Sequence, residues 1–148
     1  RLTREFFSGE VPSSDEIKLL RKHIKRTLEE DFSELKNLDF DHAVATSKTF
    51  RQLARIGGAA PSSEGHRVQR ELTLKTLNTW VPKISEMTFA QRAQLPGVST
   101  GRAEQLVAGA IVAQEAMEFL GLTVLEVCPW ALREGLILRR LDWFPDDA

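Results

Sequence analysis

Residues 95–110 constrain this chain more tightly than any other stretch. Leu95, Pro96, Gly97 and Val98 make a turn that no regular element runs through. Ser99 or Thr100 behind it can cap a helix by accepting from its free N–H groups. Beyond the turn, Ala103, Leu106, Val107, Ala110, Ile111, Gln114 and Met117 recur at i, i+3 and i+4. That spacing predicts one helix with an apolar face, stopped by Gly121 at the C′ position. Ala108, Gly109 and Ala110 lie in its middle, where glycine costs about 1 kcal/mol relative to alanine. Small residues there predict a close neighbour, either a second backbone or a ligand. Arg102 falls in the first turn of this helix, where the dipole disfavours a cation. A cation in an unfavourable place beside free N–H groups points to an anion. The alternative for Arg102 is an ion pair with a surface carboxylate.

The chain has 148 residues, enough for one domain that buries about two thirds of its unfolded surface. A net charge of −1 gives no broad electrostatic footprint for nucleic acid or an anionic membrane. No apolar run approaches the ~18 residues of a membrane span, and no signal peptide opens the chain. Charge is patterned locally instead. Lys18, Arg21, Lys22, Lys25 and Arg26 precede Glu29, Glu30, Asp31 and Glu34 on one predicted helix, read as a solvated face. Cys128, the single cysteine, excludes an internal disulfide and fits a reducing, cytoplasmic compartment. It closes an apolar run with Val124, Leu125 and Val127, so it is expected to be buried and inert. Arg1 is not an initiator methionine and the pattern from Leu2 to Phe7 starts abruptly, so a fragment of a longer chain is expected.

In chain order, residues 1–9 read as a short amphipathic turn. Ser13 or Ser14 caps a helix over about 14–32, with Asp15 and Glu16 in its first turn and Ile17, Leu20, Ile24, Leu28 and Phe32 on one stripe. Residues 42–46 form a first strand, followed by the hydroxyl-rich turn Ser47, Lys48, Thr49 and a helix stopped by Gly57 and Gly58. A strand–turn–helix of this kind aims N–H groups and hydroxyls at whatever lies above the strand, which suits a phosphate. The plainer alternative is that Thr46 or Ser47 merely caps the helix. Residues 57–65 are a surface loop. Leu74, Leu77, Val81 and Ile84 continue a helix that tolerates Pro82, with Trp80 in the core, and Thr88 with Gln91 makes a capping box for a short helix. Residues 123–128 form the second strand. Pro129 and Trp130 open a last helix with Ala131, Leu132, Leu136, Leu138 and Leu141 on a broad apolar side; Arg133 and Glu134 flank Gly135, which predicts close packing, and residues 144–148 fray. Two strands among five or six helices make an incomplete sheet, so an α/β unit with further strands upstream is expected.

Most site chemistries find no support. His23 and His66 have no partners at metal-ligand spacing, no nucleophile elbow is present, and Glu29 and Glu30 diverge on a helix. Ser47, Lys48 and Thr49 have the hydroxyls of a phosphate loop without its glycines. Residues 89–113 also fit a helix-hairpin-helix DNA-binding pattern through Leu95, Pro96, Gly97 and Val98. Ser99 replaces its second glycine, however, and no basic residue follows Arg102 before Arg133, so nucleic acid is disfavoured.

Three motifs in order carry a family resemblance across essentially the whole chain. The run Thr46, Ser47, Lys48, Thr49, Phe50, Arg51, Gln52, Leu53, Ala54, Arg55 resembles the strand–turn–helix of the exopolyphosphatase and guanosine pentaphosphate phosphatase family. Leu95 to Ser99, with Arg102-Ala103 and Ala108-Gly109-Ala110, is similar to its turn and Arg-Ala helix. Glu126 to Gly135, with Arg133-Glu134-Gly135 the most specific part, resembles its closing strand and helix, in the wording of the actinobacterial exopolyphosphatase branch.

The resemblance implies an actin-like, ribonuclease-H-type ATPase fold of two related halves, helix-rich α/β, with phosphoryl chemistry in the cleft between them. Residues 1–148 then correspond to most of the second half, the early strands and the catalytic glutamate lying upstream. Magnesium is implied as cofactor, with no metal ligand and no catalytic residue in this chain. In the intact enzyme a magnesium-assisted, glutamate-activated water would attack a terminal phosphate. Thr46, Ser47, Lys48 and Thr49 are expected to offer N–H and hydroxyl donors to the phosphate chain. Arg102 would neutralise its charge, on a turn shaped by Gly97 and Gly101. The expected partners are inorganic polyphosphate or guanosine pentaphosphate, the N-terminal half of the same chain, and a second copy as a homodimer. A non-catalytic nucleotide-binding or regulatory module of the same fold is the alternative.

Overall fold

In the computed structural model, which describes residues 1–130 and 132–141, four of the helices begin at capping side chains. Helix α1 is Leu2–Phe6, where an amphipathic turn was expected. Helix α2, Ser14–Phe32, opens on a full capping box: Ser13 Oγ accepts from Glu16 N–H at 3.2 Å, and the Glu16 carboxylate accepts from Ser13 N–H at 2.7 Å. Strand β1 (Val44–Ala45) runs into α3 (Lys48–Ile56), and strand β2 (Glu71–Thr73) into α4 (Leu74–Ser85). The short helices α5 (Phe89–Ala93) and α6 (Thr100–Ala103) flank the Pro-Gly turn. Helix α7 (Leu106–Phe119), strand β3 (Val124–Val127) and helix α8 (Leu132–Leu141) complete the order.

The three strands form one sheet in the order β1–β3–β2. Both strands expected from the sequence are present and lie side by side, paired in parallel with Val44 opposite Glu126 and Ala45 opposite Val127. Strand β2 adds antiparallel on the other side of β3, with Leu72 opposite Leu125. It was absent from the sequence reading, because three residues with one apolar side chain, Leu72, show no alternation to detect.

The helix expected to run unbroken from Thr100 to Gly121 is two helices. A turn at Glu104 and Gln105, with Gln105 at ψ −9°, separates α6 from α7. The offset lets α6 pack on α5 while α7 packs on α2, α3 and α4. Helix α7 is the centre of the fold: nine of its residues are buried, including Val107, Ala110 and Ile111. Its small residues admit a close neighbour, but that neighbour is a side chain, not the second backbone or ligand expected. A Cβ on Gly109 would stand 2.7 Å from Thr49 Cγ2, so α3 can lie this close only over glycine. Gly121 takes φ +66° just past α7, in keeping with its expected C′ role.

Buried polar side chains tie the layers together. Arg21 of α2 reaches Glu115, which is 2% exposed, and bonds Gln114 Oε1 at 2.6 Å; Lys25 Nζ lies 3.5 Å from Glu115 Oε2. The basic run of α2 is therefore only partly a solvated face. Arg70 donates to the carbonyls of Ala60, Pro61, Gly65 and Val68 and so holds the 57–70 loop in shape. Arg92, 1% exposed, donates to the carbonyls of Ile84 and Glu10. Burial pulls its pKa below the ordinary arginine value, opposed by the nearby Glu10 charge.

Other expectations need correction. Cys128 is half-exposed, since it stands past the last buried residue of β3, Val127. Trp80 only packs against the core from its edge. Gly135 is exposed, and a Cβ there would meet no described atom within 4 Å, so close packing is not found. Leu136, assigned to the apolar side of the last helix, is 55% exposed. Ala131, the side chains of Leu132, Arg133, Glu134, Leu138 and Leu141, and the tail at 142–148 lie outside the described residues.

Candidate phosphate-binding groove

Ser47 is the N-cap of α3: its Oγ accepts from Phe50 N–H at 3.3 Å. The hydroxyl proton stays free to donate, and the first-turn N–H groups of Lys48 and Thr49 have no intrahelical carbonyl to bond. The turn before α6 is pressed onto the same helix. Gln52 Nε2 donates to the Gly97 carbonyl at 3.2 Å, and Gly97, at φ +78°, would place a Cβ 3.1 Å from the Arg55 side chain. Glycine is required there both by backbone conformation and by space.

This docking brings two of the three sequence motifs together. Lys48, Arg51, Gln52 and Arg55 from α3 face Gly97, Ser99 and Arg102 across a groove of about 450 Å³, completed by Pro61 and Ser62. Four of these side chains are cations and none is a carboxylate. Arg102 bonds Gln105 Oε1 at 3.3 Å, and among the described residues it has no acidic partner. The dipole argument for Arg102 does change: α6 is a single turn, so Arg102 stands equally in its last turn, where a cation is tolerated. Its position in the groove, rather than a poor place on a helix, is what marks it.

The remaining predicted residues fan out from the groove. Ser47 and Thr49 line a neighbouring, mostly apolar hollow with Gln105, Gly109 and the start of α1. Thr46 and Ser47 line a second apolar hollow beside β1 with Ala113, Met117 and Leu125. Gly101 is exposed and a Cβ on it would meet nothing within 4 Å, so no spatial constraint holds glycine there.

Arg51 and Arg55 escaped the sequence reading as site residues. Their signal was legible: with Lys48 they stand at i, i+3 and i+7, one face of α3. Arg51 Nε is buried and has no hydrogen-bond partner among the described residues. One Arg55 nitrogen donates to the Ala59 carbonyl, fixing the guanidinium at the groove wall. His66 is exposed and its ring lies 5.1 Å from that of Trp130, while His42 bonds Glu126 across β1 and β3 at 2.5 Å.

The donors of the groove are ammonium, guanidinium, amide and hydroxyl groups, which suit an anion and repel a magnesium ion. Among the described residues no cluster of three or more His, Cys, Asp or Glu could hold a metal. The residues present do not fit magnesium. No helix among the described residues is long and apolar enough to cross a membrane.

Comparison with known proteins agrees with the order of the motifs. The chain is 50% identical over 143 residues to Exopolyphosphatase 1 of Mycobacterium tuberculosis and 48% identical to Exopolyphosphatase 1 of Mycobacterium leprae. These matches cover 96% of this chain and 42% of each relative, so the chain spans about two fifths of their length. Among solved structures, an exopolyphosphatase from Cytophaga hutchinsonii superposes with a TM-score of 0.81 at 17% identity, covering 98% of this chain and 47% of that one. The Aquifex aeolicus member of the Ppx/GppA family gives 0.78 at 22% identity, covering 96% and 45%. At such identities these two structures speak for the fold, a helix-rich α/β arrangement. The profile of the Ppx/GppA phosphatase family matches residues 1–144, and the chain belongs to that family.

Proposed function

We propose that this chain is the C-terminal half of the catalytic region of an exopolyphosphatase, the second half of an actin-like, ribonuclease-H-type fold. It supplies one wall of the cleft in which terminal phosphate is released from inorganic polyphosphate or guanosine pentaphosphate. The observation that carries this reading is the groove where Lys48, Arg51, Arg55 and Arg102 converge, with no carboxylate among the described residues that line it. A polyanion entering it exchanges water for charged hydrogen bonds, and a guanidinium can hold two phosphate oxygens in a fork.

In this reading Lys48 and Arg102 face each other across the phosphates. The free N–H of Lys48 adds a donor at the head of α3, while Thr46, Ser47 and Thr49 open onto the neighbouring hollows. Gly97, held by Gln52, sets the height of the turn that carries Arg102. Among the described residues no general base is placed at the groove, so hydrolysis needs the N-terminal half, which would also supply the magnesium that the family resemblance implies. The half-exposed Cys128 fits a cytoplasmic protein. The helix-hairpin-helix alternative loses ground, since the turn at Gly97 is packed against Arg55 instead of projecting toward a duplex.

The test is phosphate release from inorganic polyphosphate and from guanosine pentaphosphate by the full-length protein and by residues 1–148 alone. Magnesium-dependent release by the full-length protein only is the expected result. Binding of either compound without release by the full-length protein would favour the non-catalytic module. Release by residues 1–148 alone would overturn the division of labour.

A further inference from the structure

Beside the groove, and sharing Arg51 and Ser62 with it, lies a small cleft of about 40 Å³. His66 and Arg70 from the loop before β2 complete its polar lining, and Val127 and Pro129 at the end of β3 close its apolar side. Two cations meet there without a counter-charge. Arg70 is only 7% exposed, and an arginine stays protonated in a protein. It donates to the carbonyls of Ala60, Pro61, Gly65 and Val68, which satisfies its N–H groups and leaves its charge unneutralised. Charges held this far from water are ordinarily paired. Arg51 Nε is buried as well and has no acceptor among the described residues, although a nitrogen removed from water ordinarily finds one. Glu64, the one acid of residues 57–70, is exposed and does not line the cleft.

Such a lining calls for an acceptor that is small and negatively charged. The cleft takes one or two water-sized ligands, since about 10–15 Å³ suffices for one, and it has no room for a length of phosphate chain. A water molecule would accept from Arg51 Nε but would leave both positive charges as they are. From this geometry we infer that the cleft is a binding site for one small monovalent anion of the halide class. Arg51 Nε donates to the ion, the Ser62 hydroxyl and the His66 ring supply further donors, and the Arg70 charge holds it through space. The ion is a fixed counter-ion that joins α3 to the loop before β2. This site does not depend on what the neighbouring groove binds.

The test is thermal unfolding of the full-length protein in sodium chloride and in sodium gluconate, together with anomalous diffraction from its crystals soaked in sodium bromide. The two salts are compared at equal ionic strength, so screening is the same in both. Gluconate is too large for the cleft. Replacing chloride by it should lower the melting temperature by about 2–4 °C, and adding chloride back should restore it along a saturating curve. Arg51→Gln should remove the difference between the salts. Arg102→Ala, at a residue that lines the groove but not the cleft, should keep it. A bromide peak should stand in the cleft beside Arg51 Nε. Equal melting in both salts, or a water where bromide is expected, would overturn the site. A bromide peak without chloride-dependent melting would mark an adventitious ion only and overturn it too. A chloride effect lost in Arg102→Ala and kept in Arg51→Gln would put the ion in the groove, against the inference. If Arg51→Gln does not fold, the bromide peak and a weaker chloride effect in Ser62→Ala decide in its place.

Discussion

Thr49 Cγ2 occupies the space that a side chain at residue 109 would need, 2.7 Å from an ideal Cβ. This contact sets the distance between α3, which carries Lys48, and α7, the buried centre of the fold. Alanine at 109 would gain about 1 kcal/mol of helix propensity, but threonine is stiff about χ1 and cannot swing its methyl aside cheaply. Overpacking of this kind costs about 1–3 kcal/mol. Gly109→Ala should therefore lower the melting temperature, and Thr49→Ser, which removes the offending methyl, should restore it in the double variant. Additive effects of the two changes in thermal unfolding would show that the contact is not what limits the approach.

The link between Arg21 and Glu115 gives a second prediction. Glu115 is 2% exposed and Arg21 is about three-tenths exposed, so the pair is partly shielded from water. Glu115→Leu leaves a guanidinium facing an apolar surface and should cost about 2 kcal/mol in denaturant unfolding. Arg21→Met with Glu115→Leu should recover much of that loss, because neither partner is then stranded. A double variant no more stable than the Glu115→Leu single would contradict this.

Acid should act through the first turn of α2. Backbone N–H groups of Ser13 and then Ser8 hold the Glu16 carboxyl down to about 2, from an ordinary 4.5. A depressed carboxyl contributes stability above its unfolded value and loses it as pH falls through the folded one. The stability gap between wild type and Glu16→Gln should be full at pH 7 and shrink between about pH 4.5 and 2. Unfolding midpoints measured across this range check it; a gap that stays constant would mean that the carboxylate charge is not what the cap uses.

Gln52 and Gly97 hold the turn of Arg102 on α3. Gly97→Ala forces a left-handed conformation costing about 1–2 kcal/mol and crowds Arg55, so it should both destabilise the protein and raise KM for polyphosphate. Gln52→Ala removes only the bond to the Gly97 carbonyl and should raise KM with a smaller fall in stability. Unchanged KM in both variants would detach the turn from the site.

The elements with a strong local signal were legible in the sequence. The capping residues Ser13 and Thr88 and the stop at Gly121 lie where the patterns put them, and β1 and β3 pair in parallel. What escaped depends on tertiary packing. Strand β2 is held by its partner β3 more than by its own composition, and the turn at Glu104 and Gln105 follows from α6 docking on α5. The site was half legible: Lys48, Gly97 and Arg102 do line one groove, because α3 and the turn share Gln52. Thr46, Ser47, Thr49 and Gly101 do not line it; Thr49 diverges from Lys48, and Gly101 from Arg102, by about 100° on a helix. Arg51 and Arg55 look like ordinary solvated helix residues until the turn is laid across them.

The account rests on Arg102 serving an anion rather than the fold. Among the described residues its guanidinium makes one bond, to Gln105, and that bond is exposed, so little stability hangs on it. The deciding measurement is Arg102→Ala in the full-length protein, with KM for polyphosphate and melting temperature determined on the same preparation. The account predicts a KM roughly ten- to a hundredfold higher, from loss of a charged hydrogen bond of about 1.5–3 kcal/mol. The melting temperature should stay within about 2–3 °C of wild type. A variant that melts far lower, while its folded fraction keeps the wild-type KM, would contradict the account and make Arg102 a structural residue.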